Sequence, residues 1–279
     1  MLAVRARVLS TVMAGSLLLA ACSSGGAAAP APSLTAPSSS SDFVGPSSVS
    51  SAVASPTVPL PAKVRKVVML DPGHNGGNAS HPAEINKQVP AGRGETKPCN
   101  TTGTSTRAGY TEHAFNWDVA QRVGAALAAR GVVVQYTRDS DAGVGPCVDK
   151  RAARGNESDA AAVVSIHADG SDSAGARGFH VSYSNPSLNA AQGGPSIDLA
   201  GDLRDALRSG GFPPSTYLGA NGIYPRADLA GLNLSNRPAA LVECGNMRNP
   251  AEAAAMSSAP GRQQYADAIT AGILRYLGL

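Results

Sequence analysis

Four ionisable side chains in this 279-residue chain are of the types that build a metal-dependent hydrolytic site. His74, His167 and Glu243 each follow a short apolar run, and Glu112 stands where a long helix is predicted to begin. In open α/β sheets the ligand crevice lies beyond the carboxyl ends of the strands, and a helix N-terminus keeps a nearby carboxylate ionised. The pattern therefore predicts that these four side chains meet at one edge of a sheet.

Two imidazoles and one carboxylate form a donor set that suits Zn²⁺, and three protein ligands leave one position for water. We interpret His74, Glu112 and His167 as the ligands of one zinc ion. Zinc lowers the pKa of its water to about 7, so that hydroxide is available at neutral pH. A second carboxylate must then carry a proton from the water to the leaving nitrogen, and we assign this role to Glu243.

Plainer interpretations of the same residues involve no metal. The two histidines could simply complete a turn and a strand end, and Glu112 could be no more than a favourable charge in the first turn of its helix. Glu243 could pair with Arg226 or Arg248. The other histidines are expected at the surface or behind the site, and they are His81, His113 and His180.

Short runs rich in Val and Ile predict the strands that carry these side chains. The runs are 67–70, 132–136, 161–166, 239–242 and a weaker one at 178–183. Helical patterns between and after them cover 111–130, 149–157, 195–209 and 262–277. Because the runs are apolar almost throughout, both faces of the sheet should be covered. We predict an α/β fold, a three-layer α/β/α sandwich around a mainly parallel twisted sheet, with a long loop over 75–110.

The N-terminal segment is typical of an exported protein. Residues 1–21 combine two arginines with a short apolar run and predict a secretory signal peptide. The run ends in Leu-Ala-Ala-Cys, which resembles a bacterial lipobox and makes Cys22 a candidate for acylation and membrane anchoring. An ordinary signal peptide with a chance cysteine is the alternative. Residues 22–62 predict a disordered Ser/Ala/Pro tether, and 63–279 the catalytic domain, in the cell envelope or periplasm.

The positions of the cysteines favour one disulfide. Cys99 and Cys147 lie in segments rich in Gly, Pro and Thr, and export brings oxidising conditions, so we favour a disulfide between them. Two free thiols, or a bond that uses Cys244, are the alternatives.

The formal net charge of +3 falls to +1 without the arginines of 1–21, which gives no electrostatic case for binding nucleic acid. A monomer is the expected state.

The sequence VMLDPGHNGG resembles the opening motif of the zinc-dependent N-acetylmuramoyl-L-alanine amidases of the Amidase_3 type. Segments that resemble the family's motifs follow one another in the expected order: 68–77, 112–116, 137–139, 151–156, 165–169 and 241–249. The resemblance spans essentially 65–279. It implies a three-layer sandwich, one zinc ion on His74, Glu112 and His167, and Glu243 as the acid/base. The implied reaction is hydrolysis of the amide bond between N-acetylmuramic acid and L-alanine in peptidoglycan or muropeptides.

The sequence departs from the family pattern in two places. Where the last motif usually has Gly-Phe, this chain has Gly245 and Asn246 after Cys244, which should alter the pocket wall. The loop over 75–110 is longer than a bare core needs, and related enzymes can carry an autoinhibitory helix in this region. Its Gly and Pro content argues against a long helix, so we predict an open site with the disulfide holding the loop. We expect Arg226 to help stabilise the reacting carbonyl oxygen.

Two other functions fit parts of the pattern. A zinc exopeptidase or deacetylase could use a similar sheet and a similar ligand set. A non-catalytic wall-binding or regulatory domain could keep the fold without the metal, although the complete ligand set and Glu243 weigh against it.

Overall fold

The computed structural model describes residues 65–279. The predicted signal peptide of 1–21, the acylation candidate Cys22 and the predicted tether of 22–62 lie outside these described residues. The strands are β1 (Val67–Pro72), β2 (Gln88–Gly92), β3 (Glu95–Pro98), β4 (Val133–Tyr136), β5 (Ala162–Asp169), β6 (His180–Ser182) and β7 (Ala239–Asn246). The α-helices are α1 (Pro82–Ile85), α2 (Glu112–Ala128), α3 (Val148–Glu157), α4 (Gly194–Ser209), α5 (Ala230–Asn233), α6 (Pro250–Ser257) and α7 (Ala259–Leu277). Within 65–279, no helix combines the length and the apolarity that a membrane crossing requires.

The main sheet has five strands in the order β4–β1–β5–β7–β6. The first four are parallel, and β6 pairs antiparallel with β7 at one edge. The register places Asp71 beside Ser165 and His167 beside Glu243. The carboxyl ends of β1, β5 and β7 therefore meet at one edge of the sheet. The predicted mainly parallel sheet is confirmed, and the weakest predicted strand is its antiparallel edge.

Helices cover both faces of this sheet. Helices α2, α4 and α7 pack on one face, over a core that contains Val164 and Ile166 of β5. Helices α3 and α5 and the hairpin β2–β3 pack together on the other side, where a smaller cluster contains Val163 and Leu232. Successive side chains of a strand point to opposite faces, so His167 lies on the same face as Val163. The site residues of β5 thus emerge into the layer formed by α3, α5 and the hairpin.

The predicted loop over 75–110 is more regular than expected. It contains the short helix α1 and the hairpin β2–β3, whose turn residues Gly92, Arg93 and Gly94 have φ angles of 80°, 56° and 79°. Pro90 interrupts the apolar alternation of β2, so no strand period is visible in the sequence. The hairpin is fixed instead by distant contacts, because the Arg93 guanidinium donates to Asn233 Oδ1 at 3.3 Å.

Helix α6 is a second element that the sequence pattern does not predict. Its sequence PAEAAAMS has one large apolar residue, Met256, so it lacks an amphipathic period. Its start is nevertheless defined, because the Asn249 side chain accepts hydrogen bonds from the main-chain N–H groups of Ala251 and Glu252. The following helix α7 begins at Ala259, slightly earlier than predicted, after Ser258 caps it in the same way.

The disulfide favoured from the sequence is present between Cys99 and Cys147. It joins the residue after β3 to the N-cap of α3, and the N–H of Val148 donates to the carbonyl of Cys99 at 2.8 Å. Cys244 is a buried free thiol. The bond therefore ties the hairpin segment to the helix layer that borders the site.

The double substitution Cys99→Ser/Cys147→Ser should lower the free energy of unfolding by roughly 2–4 kcal/mol, because the open chain gains entropy when a long loop is released. The denaturant m-value should rise, since a chain without the cross-link exposes more surface on unfolding. Urea denaturation of both proteins measures the two quantities. Cys244→Ala removes a thiol without removing a cross-link and should leave the m-value unchanged. Equal m-values for all three proteins would contradict this role of the disulfide.

Candidate metal centre

His74, Glu112 and His167 come together at the carboxyl edge of the sheet, and one ligand atom from each lies within 4.8 Å of the others. Nε2 of His74 is 3.1 Å from Oε1 of Glu112, and Nδ1 of His167 is 3.0 Å from the same oxygen. The two imidazoles stand nearly perpendicular, with ring centroids 4.9 Å apart. Three elements that are distant in sequence thus direct two nitrogens and one oxygen at a common point.

Glu112 is held by the main chain on both sides. Its Oε2 accepts a hydrogen bond from the N–H of Thr104 at 2.9 Å, and its Oε1 accepts one from the N–H of Ala168 at 3.2 Å. The side chain is almost completely buried at the N-terminus of α2. Burial alone would raise its pKa, but the charge of His74 and the hydrogen bonds of both histidines lower the pKa of Glu112 well below its usual value. The carboxylate is therefore ionised, as a metal ligand must be.

The ring of His74 is oriented by a carbonyl. Its Nδ1 lies 3.0 Å from the main-chain oxygen of Thr101. Since a carbonyl oxygen only accepts, Nδ1 carries a proton in this contact, so Nε2, which faces Oε1 of Glu112, is the ring nitrogen that a metal ion would bind. Metal-binding histidines commonly have such a second partner, which fixes the tautomer. His74 therefore has the kind of second contact that a metal-binding histidine would need.

Two glycines allow the ligands to approach one another. A Cβ atom on Gly73 would lie 2.1 Å from Cε1 of His167. A Cβ atom on Gly103 would lie 2.8 Å from both Oε2 of Glu112 and Cδ2 of His74, and Gly103 also has a φ angle of 77°. Any side chain at either position would displace a ligand. These glycines belong to the site although they carry no functional group.

Two buried arginines fix the main chain of the first motif. Arg151 donates to the carbonyls of Pro72 at 2.7 Å and His74 at 2.6 Å, and it pairs with Asp71 at 2.8 Å. Arg138 donates to the same Pro72 carbonyl at 2.9 Å. His74 has a φ angle of 58°, a region that is unfavourable for a residue with a side chain. The arginine contacts hold it there.

Glu243 lines one groove together with His74, Glu112 and His167. Its carboxylate oxygens are not among the ligand atoms that cluster. One of its carboxylate oxygens is fully buried and has no hydrogen-bond partner among the described residues. Among the described residues, Glu243 forms no ion pair with Arg226 or Arg248 at a nitrogen–oxygen distance of 4.0 Å or less. Burial, followed by repulsion from Glu112 and Asp169, raises the pKa of Glu243 well above its usual value. Glu243 therefore holds a proton more readily than an exposed glutamate does.

Arg226 lies outside the cluster. Its guanidinium makes two hydrogen bonds to Asp228, at 2.7 and 2.6 Å, and stacks on Tyr224. Its charge slightly offsets the rise in the pKa of Glu243. Asp71 and Thr101 also support the site through their contacts with Arg151 and His74, although no sequence pattern predicted them; the position of Asp71, three residues before the first histidine, is the one signal for it.

The other histidines lie apart from the ligand atoms. His113 contacts Asp141 at 2.8 Å, and His81 is exposed and contacts the carbonyl of Gly77. His180 is buried opposite Glu243 in the β6–β7 pair, and burial lowers its pKa to about 4. It is therefore a neutral side chain on the same face of the sheet as Glu243, outside the ligand cluster.

Comparisons with known proteins agree with this geometry. Residues 68–275 match the family Amidase_3, N-acetylmuramoyl-L-alanine amidase. The chain belongs to this amidase family. It is 52% identical to the N-acetylmuramoyl-L-alanine amidase Rv3717 of Mycobacterium tuberculosis over 211 residues, which are 76% of this chain and 86% of that protein. The predicted enzyme class, an N-acetylmuramoyl-L-alanine amidase, is thereby confirmed.

Solved structures give the same result for the fold of this amidase. The N-acetylmuramyl-L-alanine amidase Ami1 from Mycobacterium smegmatis is 55% identical, with a TM-score of 0.74, and the match covers 76% of this chain and 97% of that one. Ami1 from Mycobacterium abscessus is 51% identical, with a TM-score of 0.73, over 76% of this chain and 98% of that one. The predicted α/β fold is confirmed.

The Asp71–Arg151 pair should give this amidase a defined acid sensitivity. Burial of Asp71 opposes ionisation, but Arg151 and the Thr137 and Ser165 hydroxyls lower its pKa to about 2, below the usual 3.8. A folded-state pKa below the unfolded value stabilises the protein above pH 4, and this contribution, about 2 kcal/mol, is lost as the pH falls toward 2.

Asp71→Asn should therefore reduce the loss of stability between pH 5 and pH 2.5. It should also lower stability at pH 7 by roughly 3 kcal/mol, because Arg151 then stays buried without a counter-charge. Thermal melts across this pH range measure both effects. Asp139→Asn, an exposed acid that makes no hydrogen bond among the described residues, serves as the control. A pH profile for Asp71→Asn equal to that of the control would refute the argument.

Proposed function

We propose that this amidase is a zinc-dependent hydrolase that cleaves the amide bond between N-acetylmuramic acid and L-alanine in peptidoglycan or muropeptides. The observation that carries the proposal is the convergence of His74, Glu112 and His167 on one point, with their ligand atoms within 4.8 Å of one another, beside Glu243 in the same groove. The family match supplies the substrate class.

The residues fit one zinc ion. Two imidazole nitrogens and a carboxylate oxygen are a common catalytic zinc set and leave a position for water. Glu112 is ionised, and the carbonyl of Thr101 selects the tautomer of His74 that presents Nε2 as a donor atom. When bound, zinc polarises a carbonyl and lowers the pKa of water to about 7. We therefore propose His74, Glu112 and His167 as the metal ligands.

Glu243 carries the proton in the proposed reaction. Burial makes its carboxylate a stronger base than an exposed glutamate, so it accepts a proton from the attacking water. It then delivers that proton to the amide nitrogen as the bond to the acyl carbon breaks. The products are a muramic acid carboxyl group and the free amine of the alanine. Arg226 is proposed to contact the substrate beside Glu243, after its guanidinium exchanges Asp228 for the substrate.

The proposed substrate also implies a location. Peptidoglycan lies outside the cytoplasm, which agrees with residues 1–21 as a secretory signal and 22–62 as a tether. We propose that Cys22 is acylated, that 63–279 form the catalytic domain, and that the enzyme acts as a monomer in the cell envelope. Lipid analysis of the exported protein tests the acylation of Cys22.

Glu243→Gln should lower the turnover of muramyl dipeptide by roughly a hundred- to ten-thousandfold, because the amide cannot carry a proton between water and nitrogen. Its zinc content should stay near one per chain. Mass spectrometry of the digest, with metal analysis of the same sample, measures both. Wild-type protein should release free N-acetylmuramic acid, whereas an exopeptidase would split the peptide and a deacetylase would release acetate. Full activity of Glu243→Gln would remove it from the proposed role.

Glu112→Ala should lose zinc after dialysis against a weak chelator, because two imidazoles alone bind the metal loosely. The wild-type protein should also show a zinc-dependent rise in melting temperature that is absent in Glu112→Ala. Glu157→Ala removes an exposed glutamate from α3 and should retain both the metal and the rise. A full zinc complement in Glu112→Ala would mean that other residues bind the metal.

A further inference from the structure

A polar depression with a volume of about 200 Å³ lies next to the groove that Glu243 lines. The segment after β1, the segment that leads into α2 and the turn after β7 enclose it. Its lining includes Asn75, Ala79, Thr102, Thr104, Thr111 and Arg248. Gly103 and Thr104 line both spaces, so the depression meets the groove at the segment whose N–H donates to Glu112. The depression therefore borders the metal cluster on the side of α2.

Several side chains of this depression keep hydrogen-bonding capacity that the fold does not use. Thr104, Ser105 and Thr111 line it and are half-buried, and their hydroxyls form no hydrogen bond within 65–279. Thr111 is the N-cap of α2, where a threonine hydroxyl commonly accepts from the helix, yet it makes no such bond. His113 contacts Asp141 through Nδ1, and its Nε2 has no partner in this part of the chain. These groups are available to a molecule that occupies the depression.

Arg248 adds a cation without a partner. Its main-chain N–H donates to Asn246 Oδ1 at 3.0 Å, but its guanidinium forms neither a hydrogen bond nor an ion pair with any described residue. The side chain is half-buried. Polar groups that are removed from water without a partner cost free energy, and a guanidinium only donates. A ligand with oxygen acceptors would supply the missing partner.

Arg248 also joins this depression to a second one, with a volume of about 210 Å³. The second depression is polar as well, since Arg107, Ser171 and Ser173 line it. At the first depression, Ala79 and Thr102 are exposed, so the space opens to solvent there. The two depressions form one polar path that passes beside the metal cluster.

The chemistry of the path favours a sugar over a peptide or a polyanion. Hydroxyls donate and accept, as sugar hydroxyl and acetamido groups require, and the first depression has no large apolar side chain among its described lining residues. Apolar peptide side chains would therefore gain little there. Arg248 is the one lysine or arginine in that lining, which is too little charge for a polyanion. A muramic acid residue within a glycan also continues in two directions, and a path that passes the cluster accommodates this.

We propose that the first depression binds the muramic acid ring that carries the scissile amide, and that Arg248 and the second depression bind the next sugar of the glycan. The proposal rests on the proposed function, because it takes the amide at the metal cluster as the starting point. It makes the sugar ring, and then the length of the glycan, properties that the enzyme recognises.

The first test fills the depression. Ala79 is an exposed alanine in a short 3-10 turn (Asn78–Ser80), and Ala79→Phe adds bulk to the lining. Ala190 is exposed in another such turn (Ala190–Gln192), and Ala190→Phe is the matched control. For muramyl dipeptide, kcat/KM of Ala79→Phe should fall about tenfold or more, while that for lactoyl dipeptide, which keeps the amide but lacks the sugar ring, should change less than about twofold. The control should change neither value, and turnover of the lactoyl peptide shows that each variant is folded.

The second test removes the guanidinium. Arg248→Ala should lower kcat/KM about fivefold for a tetrasaccharide of alternating N-acetylglucosamine and N-acetylmuramic acid that carries the dipeptide, and change kcat/KM for lactoyl dipeptide less than about twofold. Arg208→Ala is the control, because Arg208 is an exposed residue of α4 whose side chain makes no hydrogen bond or ion pair among the described residues. Equal losses on the two substrates would refute the assignment of Arg248.

Binding measurements separate this inference from the proposed function. Calorimetry of the full chain with the peptide-free tetrasaccharide should give an affinity that Ala79→Phe and Arg248→Ala each weaken about fivefold or more. If wild-type protein cleaved no muramyl peptide but bound the tetrasaccharide in this manner, the hydrolase proposal would fail and the glycan assignment would stand. If wild-type protein cleaved muramyl peptides but did not bind the tetrasaccharide, or if Ala79→Phe slowed the muramyl and lactoyl peptides equally, the glycan assignment would be overturned.

Discussion

The position of His74 depends on one buried ion pair, between Asp71 and Arg151. Arg151 also donates hydrogen bonds to main-chain carbonyls, among them those of Pro72 and His74. Arg138 donates to the Pro72 carbonyl as well. These bonds hold His74 at a φ angle of 58°, which is unfavourable for a residue with a side chain. Asp71 permits the burial of Arg151, since a buried guanidinium without a counter-charge is strongly destabilising. The placement of His74, the first of the proposed metal ligands, therefore depends on a charge that lies outside the ligand cluster.

The same constraint extends to the segment that carries the disulfide. The ring of His74 faces the carbonyl of Thr101, which lies two residues after Cys99. The disulfide fixes Cys99 to Cys147 at the N-cap of α3, and Arg151 follows in the first half of that helix. Helix α3 thus contacts His74 by two routes. Arg151 holds its main-chain conformation, and the segment that the disulfide joins to α3 orients its ring through Thr101. The long excursion between β1 and α2 is part of the site, which is the usual reason for such a length in a compact domain.

Local patterns predicted the features that repeat along the chain or stand at the end of an element. Apolar runs predicted the strands of the main sheet, and the helix start predicted the placement of Glu112. The bonds by which Arg138 and Arg151 hold the first motif could not be predicted, because they join each arginine to Asp71 or to main-chain carbonyls that lie 65 to 80 residues away in the chain. Every residue has a main-chain carbonyl, so the sequence does not indicate which carbonyls accept hydrogen bonds from these arginines. The hairpin escaped prediction for a similar reason, since the contacts of Arg93 that fix it lie on α5 and the segment before it.

The pKa values of two glutamates at one edge of the sheet are shifted in opposite directions because their surroundings differ. Glu112 receives the N–H groups of Thr104 and Ala168, which, with the two histidines, favour its ionised form. Glu243 has a buried oxygen that no donor in the described residues reaches, and burial favours its protonated form. A cation needs the first kind of carboxylate, and proton transfer near neutral pH needs the second. Both side chains are glutamate, so the difference lies in their surroundings: the two histidines and two main-chain N–H groups surround one carboxylate, whereas one oxygen of the other has no donor among the described residues.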